Sequence, residues 1–144
     1  MKRYLMTDLN LTPWNNFERE SLEKEIDRLN NLSFSLFGEL GAPSEPFGLF
    51  PAELSTSITL NNVSHKIENI EIEGDKIYAD VDFLKDIKGE LTERGALAEA
   101  VIEQMKGYFK MRVFVVDGDE LYIPSIVTWD VEFPPPNVNN FLKT

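Results

Sequence analysis

The amino-acid sequence predicts one α+β domain, with a mixed, mainly antiparallel sheet or a small barrel and two helices packed on it. Apolar and polar residues alternate from Ile77 to Phe83 and again from Val127 to Phe133, which is the period of half-buried strands. Two other segments repeat their apolar residues at intervals of three and four, as amphipathic helices do. Because the helices come before and between the strand regions, the order favours a sheet with helices against it.

Length and composition agree with a single folded unit. The chain has 144 residues, of which 42% are hydrophobic, enough to bury a core. We predict one domain over 1–144, made of an N-terminal helical segment (1–34), an α+β core (35–133) and a tail (134–144). No linker long enough to divide domains interrupts it.

The first helix is predicted from Asn15 to Leu32. Asn15 and Glu18 have the spacing of a capping box, and one apolar stripe follows. That stripe consists of Leu22, Ile26 and Leu29. The segment from Gly38 to Pro51 is rich in glycine and proline and is predicted to be a loop. Its large apolar residues and those of the tail are candidate interaction residues: Phe47, Leu49, Phe50, Phe141 and Leu142.

A β-hairpin and a second helix follow the loop. The apolar phase shifts near Glu68-Asn69, which predicts a bulge, and Gly74-Asp75 predicts the hairpin turn. Thr92 is predicted to cap the second helix. Its buried face is expected to contain Leu97, Val101, Met105 and Tyr108. Strands are then expected from Met111, from Leu121 to Ile123, and from Val127 to Phe133, the last with Thr128, Asp130 and Glu132 on its solvent face.

Composition excludes several kinds of function. The chain has no cysteine and one histidine, so disulfides, thiolate chemistry and sites that need two imidazoles are impossible. The net charge of −11 opposes binding to nucleic-acid backbones. No apolar stretch approaches the roughly 20 residues of a membrane span. We predict no metal site, no cofactor, no nucleic-acid partner and no membrane partner.

His65 is the only imidazole that could act as a general base. It has the strand parity of Val63 and Ile67, so its ring is expected at the edge of the core, with its hydrogen bonds satisfied. Adjacent side chains on a regular strand point to opposite faces, so Ser64 is not expected to be its partner. We therefore predict no catalytic residue.

Five short segments, in this order, resemble the motifs of phage prohead maturation proteases, which are serine proteases that trim capsid and scaffold proteins. The likeness covers roughly half of the chain. The segments are Gly38-Glu39-Leu40-Gly41-Ala42-Pro43, Val63-Ser64-His65-Lys66-Ile67, Glu73-Gly74-Asp75-Lys76-Ile77-Tyr78, Ile87-Lys88-Gly89 and Lys110-Met111-Arg112. The resemblance implies a prohead-protease-like fold, a phage origin and a role in head assembly.

The chain departs from the family at the two positions that carry its chemistry. Ala42 stands where the family has its catalytic histidine, and Lys110-Met111 stand where its nucleophilic serine would fall, before the matching Arg112. A methyl group cannot accept a proton, and neither an ammonium nor a thioether can replace the serine in acyl transfer. The resemblance therefore implies a protease fold without the protease.

Three hypotheses follow. The leading one is a non-enzymatic virion or head-assembly protein that binds phage head proteins in the virion or the host cytoplasm, with self-association left open. The second is an acidic inhibitor or decoy that binds a host protein. The third is an active serine hydrolase that uses His65 and a displaced serine, such as Ser57 or Ser125.

Overall fold

The computed structural model describes residues 1–11, 13–41, 60–118 and 120–134. Several residues singled out above lie outside this part of the chain: Ala42, Phe47, Leu49, Phe50, Ser57, Phe141 and Leu142. Within it, the elements are β1 (Lys2–Asp8), α1 (Arg19–Asn30), β2 (Leu36–Glu39), β3 (Val63–Glu73), β4 (Lys76–Phe83), α2 (Glu93–Gln104), β5 (Tyr108–Asp117) and β6 (Tyr122–Glu132). Single turns of 3-10 helix occupy Trp14–Asn16 and Leu60–Asn62.

The strands form two antiparallel sheets that adjoin each other. One sheet has the order β1-β4-β3-β2, and the other pairs β5 with β6. They meet where Leu40 forms an isolated parallel bridge with Val131 and the Gly41 N–H donates to the Val131 carbonyl, at 2.6 Å. This architecture confirms the predicted α+β class with a mainly antiparallel sheet and two helices.

The N-terminal strand belongs to the main sheet. β1 pairs antiparallel with β4, and the buried Trp129 of β6 donates its Nε1–H to Thr7 Oγ1 at 2.8 Å. The two ends of the described chain are thus joined through the core. Sequence analysis did not predict β1, so the segment 1–34 contains a strand as well as a helix. It also divided β6 into two pieces that are one strand.

Helix α1 begins at Arg19, later than predicted. Glu18, rather than Asn15, is its N-cap, and the Glu18 N–H donates to the Tyr122 carbonyl at 2.8 Å. Contact with β6 therefore sets the start of the helix, which a local capping pattern cannot reveal. The predicted apolar stripe is confirmed, since its three residues are buried: Leu22, Ile26 and Leu29.

Helix α2 begins as predicted but packs through different residues. Thr92 Oγ1 accepts from the Gly95 N–H at 3.0 Å, which confirms the cap. The buried residues are Gly95, Ala98 and Val101, whereas Leu97 and Met105 are exposed. Tyr108 lies beyond the helix, in β5, and is also exposed. The predicted face was wrong in these three positions because the helix approaches the preceding chain through its smallest residues. A Cβ on Gly95 would lie 2.3 Å from the backbone oxygen of Leu84.

The hairpin of β3 and β4 is confirmed. Gly74, with φ of 60°, lies in its turn. The β3–β4 register shifts between Glu68 and Glu71, and Asn69 has φ of 52°, which is the predicted bulge. The hairpin places His65 of β3 opposite Gly38 of β2.

Replacing Gly95 with alanine should destabilise the protein, although the same change stabilises most helices. Alanine is favoured by about 1 kcal/mol in an open helix, but here its methyl group would overlap the Leu84 carbonyl. We expect a net loss of roughly 2–3 kcal/mol in the free energy of unfolding, measured by urea denaturation. Gly89→Ala is the control: nothing lies within 4 Å of its Cβ position, so only the strain of φ at 84° applies, about 1–2 kcal/mol. An increase in stability for Gly95→Ala would contradict this packing.

Candidate functional site

The two stretches that resemble the histidine and serine segments of prohead proteases lie close together. Strand β6 lies between them. Its Asp130 pairs with Lys110 in the β5 ladder, and Asp130 Oδ1 accepts from the Glu39 N–H of β2 at 3.0 Å. The fold therefore brings residues 38–41 and 110–112 to one junction, and this junction is the candidate site.

Three charged side chains fill the junction, and we call them the Arg112 cluster: Arg112, Asp130 and Glu39. The Arg112 guanidinium donates to both oxygens of Asp130, from Nε at 2.9 Å and from a terminal nitrogen at 2.7 Å. A terminal nitrogen also donates to Glu39 Oε2 at 2.8 Å. The side chains are 10%, 4% and 1% exposed, in the order given, so the cluster is almost closed to solvent.

The geometry of the cluster explains why the buried charges are tolerated. Burial by itself would lower the pKa of Arg112, but the hydrogen bonds and charges of Asp130 and Glu39 outweigh it and raise that pKa above its ordinary value. A planar guanidinium suits such bidentate pairing. Asn62 extends the network by donating to the Leu40 carbonyl at 2.8 Å. Arginine offers no acceptor atom, so Arg112 cannot act as a general base here.

Two members of the cluster were missed by sequence analysis. Asp130 was predicted on the solvent face of β6, but both faces of that strand are buried from Thr128 to Val131. Glu39 was seen only as part of a motif. A usable signal existed, because a single carboxylate between Trp129 and Val131 on a strand is costly to bury without a cation.

His65 is fully buried, with both ring nitrogens engaged. Nε2 lies 2.8 Å from the Trp129 carbonyl oxygen, which can only accept, so Nε2 carries the hydrogen. Nδ1 is then an acceptor, and the Ser64 hydroxyl donates to it at 2.7 Å. The prediction that its hydrogen bonds are satisfied is confirmed, whereas the ring lies inside the core and not at its edge.

The prediction that Ser64 could not be the partner of His65 was wrong. Ser64 is itself fully buried, and its short side chain reaches along the strand to the ring of the next residue. Long side chains of neighbouring strand residues extend away from each other on opposite faces. The serine hydroxyl is only one bond from Cβ, so it stays close to the backbone and can contact the ring of the next residue.

The surroundings of His65 keep it neutral. Burial lowers its pKa to about 4, against a smaller opposing effect of the hydrogen bond to the Trp129 carbonyl. The ring of Phe109 packs edge-on, with centroids 5.5 Å apart. A Cβ on Gly38 would lie 2.1 Å from Nε2, so β2 approaches the ring more closely than any other residue would permit. The next residue of β2, Glu39, belongs to the Arg112 cluster. Strand β2 therefore borders both the histidine and the cluster.

The remaining candidate residues are dispersed. Lys110 is exposed, and Met111 is buried in the core. Ser125 is exposed on β6. It lies four residues before Trp129, which is about 13 Å along an extended strand. Of the described serines, Ser64 is therefore the one that contacts His65. Ala42 and Ser57 fall outside the described residues.

The described ranges contain no group of three or more histidine, aspartate or glutamate side chains placed to hold a metal ion. Neither α1 nor α2 combines the length and apolar character that a membrane-crossing helix needs.

The fold has a counterpart among solved structures. No protein-family model matches the sequence, and no curated protein matches it. The structure of the bacteriophage T4 capsid assembly protease gp21 is similar to this one, with a TM-score of 0.64 and 16% sequence identity. The likeness covers 92% of this chain and 81% of that chain. At this level of identity the comparison shows a shared fold, that of a capsid assembly protease.

Removing the cation of the Arg112 cluster should be strongly destabilising. Arg112→Met leaves two buried carboxylates beside each other without a countercharge, and we expect a loss of about 3–5 kcal/mol in the free energy of unfolding at neutral pH. Arg94→Met is the matched control, because Arg94 is exposed and should change stability by less than about 0.5 kcal/mol. Urea denaturation of the three proteins tests this, and equal stabilities would contradict the closed ion cluster.

Stability should fall as the pH drops from 7 to 5. The folded-state pKa of His65 (about 4) lies below its unfolded value of 6.5, so the unfolded chain binds the proton first. The contribution of the neutral His65 to the free energy of unfolding is thus fully present above pH 6.5 and is lost as the pH falls toward 4. We expect this loss to be about 2 kcal/mol between pH 7 and pH 5. His65→Gln should remove most of this slope, because His65 is the only histidine. The same slope in both proteins, from urea denaturation at each pH, would contradict a neutral buried imidazole.

Proposed function

We propose that this protein is a non-enzymatic phage protein, a virion or head-assembly component built on the fold of a capsid assembly protease. Its partners are phage head proteins, and its location is the virion or the host cytoplasm. The fold and the printed function of its structural neighbour support the association with heads. The shared fold does not by itself imply that catalysis is lost, because fold alone does not determine function. We propose that loss on separate grounds.

The observation that supports the proposed loss of catalysis is the content of the junction between β2, β5 and β6. Acyl transfer needs a nucleophile and a base that meet the substrate in one open site. Here the position before Arg112 holds Met111, which packs into the core, and Lys110, which points to solvent. The polar atoms of the Arg112 cluster bind one another instead. On the family resemblance, Ala42 replaces the catalytic histidine.

The contact of Ser64 with His65 favours a second candidate, a serine hydrolase. The hydroxyl donates to Nδ1, which is the bond that activates a serine nucleophile. Against this, Ser64 and His65 are both 0% exposed, and Nε2 is already bonded to Trp129. A substrate carbonyl could reach this pair only if the strands around it opened. We therefore assign the pair to the core.

An acidic inhibitor of a host protein is a third candidate, supported by the net charge of −11. Such binding would depend steeply on salt, because it would rest on charge attraction to a basic partner. The described acids are mostly paired or dispersed, for example in the exposed ion pairs of Arg3 with Glu71 and Glu73. The fold likeness gives the head-assembly role the stronger support.

Purified particles of the encoding phage give the direct test of the proposed role. We expect mass spectrometry to find this protein in the head fraction, at a level that persists through salt washing. Its absence from heads and from head-assembly intermediates would contradict the role. Recovery with a host protein, lost at high salt, would favour the inhibitor instead.

A serine-directed fluorophosphonate probe tests the loss of catalysis separately. We expect no labelling of the wild-type protein under conditions that label an active capsid assembly protease. Ser64→Ala and His65→Ala are the controls for specificity. Labelling of the wild type that both variants abolish would establish the buried pair as a working nucleophile and base, and would reject the non-enzymatic assignment.

A further inference from the structure

The outer half of the β5–β6 hairpin extends from the body of the protein. Past a register shift between Arg112 and Val113, the ladder continues from Val113–Ile126 to Asp117–Tyr122. Successive residues on a strand point to opposite faces, yet Val115 is 49% exposed and Val116 is 63% exposed. The domain covers the inner end of this segment, where Val113 packs against the core, but leaves Val115 and Val116, on opposite faces, exposed.

The hydrogen bonds of β6 show which way its backbone faces in this region. The Tyr122 carbonyl accepts from the Glu18 N–H. Four residues later, the Ile126 N–H donates to Glu25 Oε1 at 2.7 Å, and the Ile126 carbonyl accepts from Arg28 at 2.7 Å. These residues thus direct their backbone polar groups away from β5, toward α1 and the segment before it. Pro124 lies between them in the same phase and has no N–H to donate.

The orientation of β5 follows from that of β6. Residues opposite one another in an antiparallel pair both bond across the ladder or both point outward. Val113 lies opposite Ile126 and Val115 lies opposite Pro124. Their N–H and carbonyl groups must therefore point to the far side of β5. No backbone or side-chain hydrogen bond to Val113 or Val115 from that side is found in the described part of the chain. Among the described residues, this half of β5 is an open sheet edge.

We propose that this open edge, Val113–Asp117, is an interaction surface, and that it pairs antiparallel with the same strand of a second copy of this chain. Outward N–H and carbonyl groups that repeat every two residues match only another extended strand. A two-fold axis at Val115 would place Val115 opposite Val115 of the second copy. Each outward donor would then meet an outward acceptor, as a self-complementary interface requires.

The charge pattern favours a second copy as the occupant. Val113, Phe114, Val115 and Val116 carry no charge, and the neighbouring Arg112 is neutralised inside its cluster. Asp117 is the one charged residue of the edge, and the two-fold pairing places it opposite Val113 of the second copy rather than opposite another acid. In a protein with a net charge of −11, such an edge is where two copies can approach with least repulsion. A native strand edge is commonly protected by lysine or proline, and Val113–Asp117 contains neither; the register shift lies before Val113, at its inner end.

The interface is small, so the dimer should be weak. Pairing of about five residues per copy buries less than the roughly 1,200–2,000 Å² of a stable complex. The two copies also repel each other through their net charge. We therefore expect association that grows with protein concentration and becomes stronger with added salt, because salt screens the repulsion. An electrostatic complex with a basic partner would show the opposite salt dependence.

Sedimentation velocity from micromolar to millimolar protein, in low and in high salt, tests the proposal. The wild type should shift from monomer to dimer. Val115→Lys should weaken the dimer by about tenfold or more, because it places two ammonium groups opposite each other at the axis. It also lowers the net negative charge, so a dimer governed by overall repulsion would instead become stronger. Val115→Thr, uncharged and β-branched, is the matched control and should still dimerise.

Val115→Pro gives an independent test of backbone pairing. Its ring removes an outward N–H and leaves the β5–β6 ladder bonds in place, so it should abolish the dimer while circular dichroism shows a folded protein. A wild type that stays monomeric throughout, or a dimer that survives both Val115→Lys and Val115→Pro, would overturn the proposal. Neither result bears on the proposed head-assembly role, which the analysis of purified particles decides separately.

Discussion

The buried contact of Arg112 with Asp130 and Glu39 is the constraint on which the rest of the site depends. It joins β5, β6 and β2, which are the strands at which the two sheets meet. Removing these charges from water is expensive, and the cost is offset only because the guanidinium fork satisfies both carboxylates at once. The junction can therefore close only in one arrangement, with β2 held at the distance set by Glu39.

That distance has a consequence for His65. Because β2 is held against β3 and β6, Gly38 lies where any side chain would meet the imidazole and the Trp129 carbonyl. The ring is left with two internal partners and no exposed surface, which keeps it neutral. The Arg112 cluster and the histidine thus form one polar layer inside the junction. Both ring nitrogens of the histidine are bonded inside the fold, and this supports the proposal that it takes no part in catalysis.

Sequence patterns predicted the elements whose signal is local. The β3–β4 hairpin, its bulge, the Thr92 cap and the stripe of α1 all follow from spacing and residue type. What could not be predicted depends on contacts distant in sequence. The start of α1 is set by the Tyr122 carbonyl, and the packing face of α2 is set by the approach of Leu84 to Gly95.

The residues of the candidate site show the same contrast between local signals and contacts distant in sequence. The family resemblance singled out residues 38–41 and 110–112, and the structure brings these two stretches to one junction. The sequence pattern could not show that Asp130 faces inward, since an alternating strand has the same pattern whether one face or both are covered. It also misjudged Ser64, whose hydroxyl is short enough to bond its neighbour's ring. Alternation predicts which way a side chain leaves the backbone, but not where its polar atom ends.

The distribution of polar partners separates the two ends of the β5–β6 hairpin. Near the body, the ladder carries Asp130 and Arg112, which pair with each other and, through Arg112, with Glu39. Beyond Arg112, the chain offers valines and outward backbone groups that the domain does not use. A protein that binds others through the outer half of the β5–β6 hairpin needs a rigid junction at the base of that hairpin. It needs no nucleophile within the junction. The fold of a protease can thus support an assembly role without catalytic activity, provided that the polar layer of the Arg112 cluster and His65 still holds the strands together.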